Sequence, residues 1–159
     1  MSIEVGDRIP ASNLKQMGAE GPQEVSTESY FAGRKVVLFS VPGAFTPTCS
    51  ISHLPGFVVN APKFFEKGVD AIGCMSVNDV FVMDAWGKGA NADQLDMLAD
   101  GNGEFAEALG LQMDASAFGM GMRAQRFALV AEDGVVTGLF VEGPGEFRVS
   151  AADHVLANL

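Results

Sequence analysis

Cys49 follows Pro42-Gly43-Ala44-Phe45-Thr46-Pro47-Thr48, and this run is the stretch of the chain best suited to chemistry. The preceding residues Lys35 to Val41 read as a short buried strand, which Pro42 and Gly43 terminate. Thr46-Pro47 then opens a helical segment. Proline suits a first helical turn, so the thiol falls where free backbone N–H groups and the helix dipole favour an anion. That is a setting for a thiolate nucleophile. Other readings of the thiol are weaker. A packing cysteine belongs in an apolar stripe, whereas this one sits on the polar lip of a helix start. Metal binding with His53, four residues on, lacks partners, because only His154 and Cys74 remain as soft ligands and neither is in a paired spacing. A hydrolase-type Cys-His pair asks His53 to take the thiol proton from the same helix, where it is better placed to cap, pack or hydrogen-bond. Dithiol exchange within the motif is excluded, since position 52 is Ser.

The elements around this run follow from periodicity. An extended arm covers Arg8 to Leu14, a polar turn follows, and Thr27 to Phe31 makes one helical turn ended by Gly33. From Cys49 onward, Leu54, Phe57, Val58, Ala61, Phe64 and Phe65 recur at helical spacing up to Gly68, with a kink expected at Pro55. Ala71 to Val77 is a strand, Val80 to Trp86 a helix begun at Asn78 or Asp79, and Leu95 to Ala99 another strand. Phe127 to Ala131 and Val135 to Val141 flank Glu132-Asp133-Gly134, a hairpin signal, and a last helix begun at Ser150 runs from Ala151 to about Leu159. Strands alternating with helices imply parallel pairing. The order contains a βαβ half, a crossover and a ββα half, hence an α/β, thioredoxin-like fold: a central mixed sheet flanked by helices, with an N-terminal extension. The thiol then lies at the carboxyl end of a sheet strand, where open α/β sheets place their sites.

The 159 residues suit a single domain over the whole chain, with no linker or repeat. A net charge of −10, spread along the chain, argues against nucleic acid and anionic membranes as partners. Apolar runs are strand-length, no signal sequence is visible, and two cysteines make no disulfide framework. A reducing, cytoplasmic location fits.

Pro42, Thr46 and Cys49 form a Pro-x-x-x-Thr-x-x-Cys signature, and the chain resembles the peroxiredoxins, in particular the type II or peroxiredoxin-five-like subfamily. The likeness continues through His53-Leu54-Pro55-Gly56-Phe57, Ser76-Val77-Asn78-Asp79, Trp86-Gly87, Leu98-Ala99-Asp100 and Arg126-Phe127-Ala128. It implies that Cys49 attacks the O–O bond of hydrogen peroxide or an organic hydroperoxide and becomes a sulfenic acid. It further implies that Thr46 offers a hydroxyl to thiolate and peroxide, that Arg126 is the active-site arginine, and that Pro42 shields the thiolate. Gly43 and Phe45 support the pocket. Neither metal nor cofactor is implied, and a homodimer is. Arg123 is a competitor for the arginine role, with a position behind the reacting groups or on the surface favoured.

Physical chemistry asks for the same cation. An ordinary thiol with pKa near 8.5 is only about 3% ionised at pH 7, and bringing it to about 6 is worth roughly 3.4 kcal/mol. A helix terminus supplies about 0.3 to 1 kcal/mol. Arg126 stays charged and offers several donors in one fork. Because lowering a thiol's pKa also lowers its nucleophilicity, donors must polarise the breaking O–O bond as well.

Some subfamily members carry a resolving cysteine in the loop before the last helix, but Glu142 to Ser150 contains none. Cys74 lies within an apolar strand and reads as inert. The expectation is a one-cysteine cycle resolved by glutathione with glutaredoxin, or by thioredoxin, serving antioxidant defence. The alternative is a redox sensor or relay that uses Cys49 stoichiometrically to oxidise a partner.

Overall fold

Val36 to Val41 have no exposed surface, because the strand they form is covered on both faces. The computed structural model describes residues 1–159. Its strands are, in chain order, β1 (Asn13–Gly18), β2 (Gly21–Ser26), β3 (Lys35–Ser40), β4 (Ala71–Ser76), β5 (Asp96–Ala99), β6 (Gln112–Asp114), β7 (Met122–Ala124), β8 (Phe127–Glu132) and β9 (Val135–Val141). Seven of them make one mixed sheet in the order β2-β1-β5-β4-β3-β8-β9, and β6 and β7 pair separately. β3, β4 and β5 run parallel, whereas β8 is antiparallel to β3. The helices are α1 (Thr27–Phe31), α2 (Leu54–Glu66), α3 (Val80–Gly89), α4 (Glu104–Leu109) and α5 (Ala152–Ala157).

Alternation along β3 divides the core. Val37, Phe39 and Val41 pack with Leu54, Phe57 and Phe64 of α2, Met83 and Trp86 of α3, and Val155 of α5. Val36 and Leu38 face the other layer, with Phe31 of α1 and Phe105 and Leu109 of α4. This mixed sheet between two helical layers is the expected thioredoxin-like architecture.

Several local expectations hold for the expected reason. Asp79 caps α3 by accepting from the Val82 amide (2.9 Å), and Gly68 ends the second helical segment with φ of +88°. Asp133 and Gly134 have φ of +49° and +79°, the paired positive values of the two-residue turn that suits a twisted hairpin.

Others differ. The polar stretch after Leu14 is the β1–β2 hairpin, paired from Asn13 with Ser26 to Gly18 with Gly21. Only Leu14 is buried along β1, so the ladder forms without the apolar alternation that marks a strand in sequence. Likewise β6 and β7 are three-residue strands, too short to show a period. At Pro55 the helix changes register before the proline. Cys49–His53 is a π-helical turn in which the Leu54 amide donates to the Cys49 carbonyl, so Pro55 occupies the first turn of α2. Ser150 does not cap α5, whose N-terminal flanking residue is Ala151. Its hydroxyl is engaged by Glu142 (2.7 Å).

Candidate active site

Arg126 reaches Cys49 across 77 positions of sequence because β8 is antiparallel to β3. Ser40, the last residue of β3, pairs with Phe127, the first of β8. The residue just before β8 therefore lies beside the point where the chain leaves β3 for the cysteine turn. Arg126 Nη2 donates to Cys49 Sγ at 3.1 Å. The helix that carries the thiol makes its first backbone bond from Ser50 to Thr46 (2.9 Å), leaving the amides of Thr48 and Cys49 unspent, as at any helix start. Cys49 itself has no exposed surface and belongs to the same apolar cluster as Phe39 and Phe57. The polar lip expected of a helix start does not hold for the thiol, which is buried among apolar side chains. The reason is the π turn, which tucks Cys49 beneath Arg126 while the exposed side chains of Ile51 and Ser52 take the surface.

The second guanidinium nitrogen, Arg126 Nη1, is 2.9 Å from His53 Nδ1, and His53 Nε2 is 3.1 Å from the Ser150 carbonyl oxygen. Arginine can only donate and a carbonyl can only accept, so these partners assign the proton to Nε2 and the lone pair to Nδ1. His53 is fully buried. Burial first, and then the Arg126 charge, push it down from 6.5 to about 3, so it is neutral at ordinary pH. It is committed on both nitrogens, which rules it out as the base for Cys49. The Phe147 ring lies 5.0 Å from the imidazole and 5.8 Å from the guanidinium carbon. Glu142 accepts at one carboxylate oxygen from the amides of Arg148 (2.7 Å) and Ser150 (2.8 Å) and from the Ser150 hydroxyl (2.7 Å). Burial opposes its ionisation, but these hydrogen bonds together outweigh it and hold the carboxyl below its ordinary value.

The remaining motif residues divide between pocket and scaffold. Pro42, Thr46, Thr48 and Arg126 line a cavity of about 520 Å³, together with Met113, Phe118 and Met120 from the β6–β7 hairpin and Glu142 to Glu146. The Thr46 hydroxyl donates to the Gly43 carbonyl at 2.7 Å. Arg123 is not at the sulfur. It donates to the carbonyls of Met120 (2.9 Å) and Pro42 (3.2 Å), tying the hairpin to the proline. Gly43 sits close under the pocket wall, since a Cβ there would lie 2.9 Å from Met120 Cε and would displace that methyl. Phe45 is absent from the cavity wall: it is mostly exposed, has φ of +66° and approaches Trp86 at 6.3 Å. Trp86 in turn donates to Ser50 Oγ (3.0 Å), steadying the cysteine turn. Cys74 is fully buried in β4 opposite Phe39, and burial, then the neighbouring Cys49, push its thiol well up. Glu142, Phe147 and Ser150 are not assigned to the site from sequence, because their loop has no period and no motif.

The redoxin family model matches residues 4–156. Peroxiredoxin-2B of Arabidopsis thaliana is 48% identical over 159 residues, covering 99% of this chain and 98% of that protein. Reduced Prx3 from Vibrio vulnificus, solved in complex with hydrogen peroxide, superposes with a TM-score of 0.96 at 51% identity, covering 98% of both chains. The Plasmodium falciparum antioxidant protein, a 1-Cys peroxiredoxin, gives a TM-score of 0.92 at 29% identity over 99% of this chain and 100% of that one. Likeness over the full length, joined to a buried thiol under an arginine fork, places this chain in the redoxin family as a peroxiredoxin, a thiol peroxidase.

Proposed function

We propose that Cys49 is the peroxidatic residue and that Arg126, Thr46 and Pro42 form its catalytic surroundings. The observation that carries this reading is the 3.1 Å contact from Arg126 Nη2 to the fully buried Cys49 sulfur. A buried thiolate requires a charged partner, and the guanidinium is the cation in contact with it. The thiolate attacks one oxygen of ROOH: the S–O bond forms, the O–O bond breaks, and the departing alkoxide or hydroxide takes a proton from solvent to leave as ROH. Cys49 is left as a sulfenic acid. Negative charge moves from sulfur to the departing oxygen, and the Arg126 fork beside both favours that shift. With its hydroxyl proton given to Gly43, Thr46 keeps an oxygen lone pair to accept from the peroxide O–H. The Met113, Phe118 and Met120 side of the cavity suits the organic part of an alkyl hydroperoxide, and its size admits hydrogen peroxide as well.

Resolution comes from an external thiol. Cys74 is fixed inside β4 and the 142–150 loop has no cysteine. One thiol condenses with the sulfenate to a mixed disulfide and water, and a second releases Cys49 as the oxidised pair departs. Glutathione with glutaredoxin, or thioredoxin, are the reductants of this chemistry. Because the sulfur has no exposed surface, the cysteine turn must open to admit them. A homodimer is supported by large apolar side chains left exposed near the site, with Ile51 at 75% and Phe118 at 80% exposure. Two free thiols suit the reducing cytoplasm.

Peroxide consumption with each reductant tests the reading. Cys49→Ser abolishes turnover and Cys74→Ser retains it; equal loss in both requires a two-cysteine cycle. Many equivalents consumed per protein mark an enzyme, and a single equivalent marks the stoichiometric relay.

A further inference from the structure

We propose that Glu142, Ser150 and His53 form a positioning chain that holds the Arg126 guanidinium on the Cys49 sulfur. The inference rests on the reading of Cys49 as the reacting thiolate. Its basis is a closed circuit of hydrogen bonds that begins and ends at Arg126. The Arg126 carbonyl accepts from the Glu142 amide (3.0 Å), and the Glu142 carboxylate grips Ser150 at its amide (2.8 Å) and hydroxyl (2.7 Å). The Ser150 carbonyl accepts from His53 Nε2 (3.1 Å), and His53 Nδ1 accepts from Arg126 Nη1 (2.9 Å).

Each link has a consequence for the next. The guanidinium is planar, so fixing Nη1 on the imidazole fixes the direction of Nη2 toward the sulfur. Nδ1 can accept only while the ring proton stays on Nε2, and the Ser150 carbonyl keeps it there. That carbonyl keeps its place because Glu142 binds the same residue at two donors, and Phe147 closes the open side of the ring pair. The choice of a neutral acceptor matters. Arg126 makes no ion pair with a carboxylate; the ion pairs are Lys88–Asp84 and Arg148–Glu146. A carboxylate against Nη1 orients an arginine but neutralises it, whereas a neutral imidazole orients it and leaves the positive charge for the sulfur.

A double-mutant cycle tests the chain. His53→Phe fills the same space without an acceptor and is expected to lower kcat/KM for hydrogen peroxide on the order of tenfold to a hundredfold. In an Arg126→Ala background the same change is expected to cost less than about twofold, because its effect runs through the arginine. His53→Gln, which keeps an acceptor and a donor, recovers part of the loss. Glu142→Ala lowers kcat/KM in the native background and adds little to His53→Phe. An unchanged rate in His53→Phe, or an equal loss with and without Arg126, overturns the proposal, and additive losses for Glu142 and His53 overturn the chain between them. In the unsubstituted protein, nitrogen NMR at pH 7 is expected to show His53 protonated at Nε2 and bare at Nδ1; the opposite tautomer or an imidazolium also overturns it. Activity surviving in Cys49→Ser instead defeats the underlying reading of the thiol, a result separate from all of these.

Discussion

At the scale of the residue, Arg126 spans two acceptors, the sulfur at 3.1 Å and the imidazole at 2.9 Å, through different nitrogens of one rigid fork. A lysine keeps the charge but has a single nitrogen, so Arg126→Lys is expected to lose about 10²- to 10³-fold in kcat/KM for peroxide. Stopped-flow peroxide consumption measures it, and a loss below threefold would show that charge alone suffices. His53 carries a pH prediction. The folded protein excludes its proton until about pH 3, while the unfolded chain binds it below the ordinary 6.5. Between these values the unfolded state holds more protons, so stability falls on acidification through that window, by up to about 1.4 kcal/mol per pH unit from this residue. Urea unfolding at several pH values should give a shallower acid slope in His53→Phe than in the parent; parallel slopes would contradict the assignment. The thiol and its threonine are legible in sequence because a motif spells them out, and Arg126 is legible through the family likeness. Burial of Cys49 is not, since the side chains covering it come from β3, α2 and the region of α5. Nor is the role of Glu142, whose partners lie six and eight residues on in a loop without periodicity.

Among the elements, the Asp133-Gly134 turn pairs Glu132 with Val135 at the start of the β8–β9 hairpin, while the β3–β8 ladder sets the place where β8 begins beside the end of β3. Gly134 has φ of +79°, and a Cβ there would meet Arg8 Nη1 at 2.9 Å. Gly134→Ala is therefore expected to destabilise by about 1 to 2 kcal/mol while sparing kcat/KM, as read by thermal or urea unfolding beside activity. Gly43→Ala should do the opposite. Its Cβ would press on Met120 Cε at 2.9 Å, Arg123 Nη1 at 3.1 Å and Thr46 Cγ2 at 3.1 Å, three groups that shape the pocket. We expect up to about a hundredfold loss of kcat/KM, and unaltered kinetics would show that the turn yields without moving Thr46. The sheet and the long helices are visible in sequence because apolar periods mark them. The β1–β2 and β6–β7 hairpins are hidden, because backbone pairing with little burial leaves no such mark, and β6–β7 supplies Met120 and Arg123 to the site.

For the whole molecule, the placement of one thiol at the floor of a closed site sets the order of events. Peroxide enters the cavity lined by Pro42, Thr46 and Arg126 and needs only a small shift of the turn to meet the sulfur, which has no exposed surface, whereas a protein or tripeptide thiol requires the turn to open widely. Oxidation should therefore be faster than resolution when both reagents are present in equal amounts. Exposed Phe45 and Ile51 on the cysteine segment, with exposed Phe118 on the cavity wall, lead us to expect a concentration-dependent dimer in sedimentation velocity, weakened by Phe118→Ser. The central claim is that Cys49 alone takes oxygen from peroxide and that its release needs a thiol from outside. Intact mass after one equivalent of peroxide tests it most directly. The account predicts a single added oxygen on Cys49 that glutathione converts to a mixed disulfide and glutaredoxin then clears; an internal Cys49–Cys74 disulfide, or oxygen added elsewhere, would contradict it.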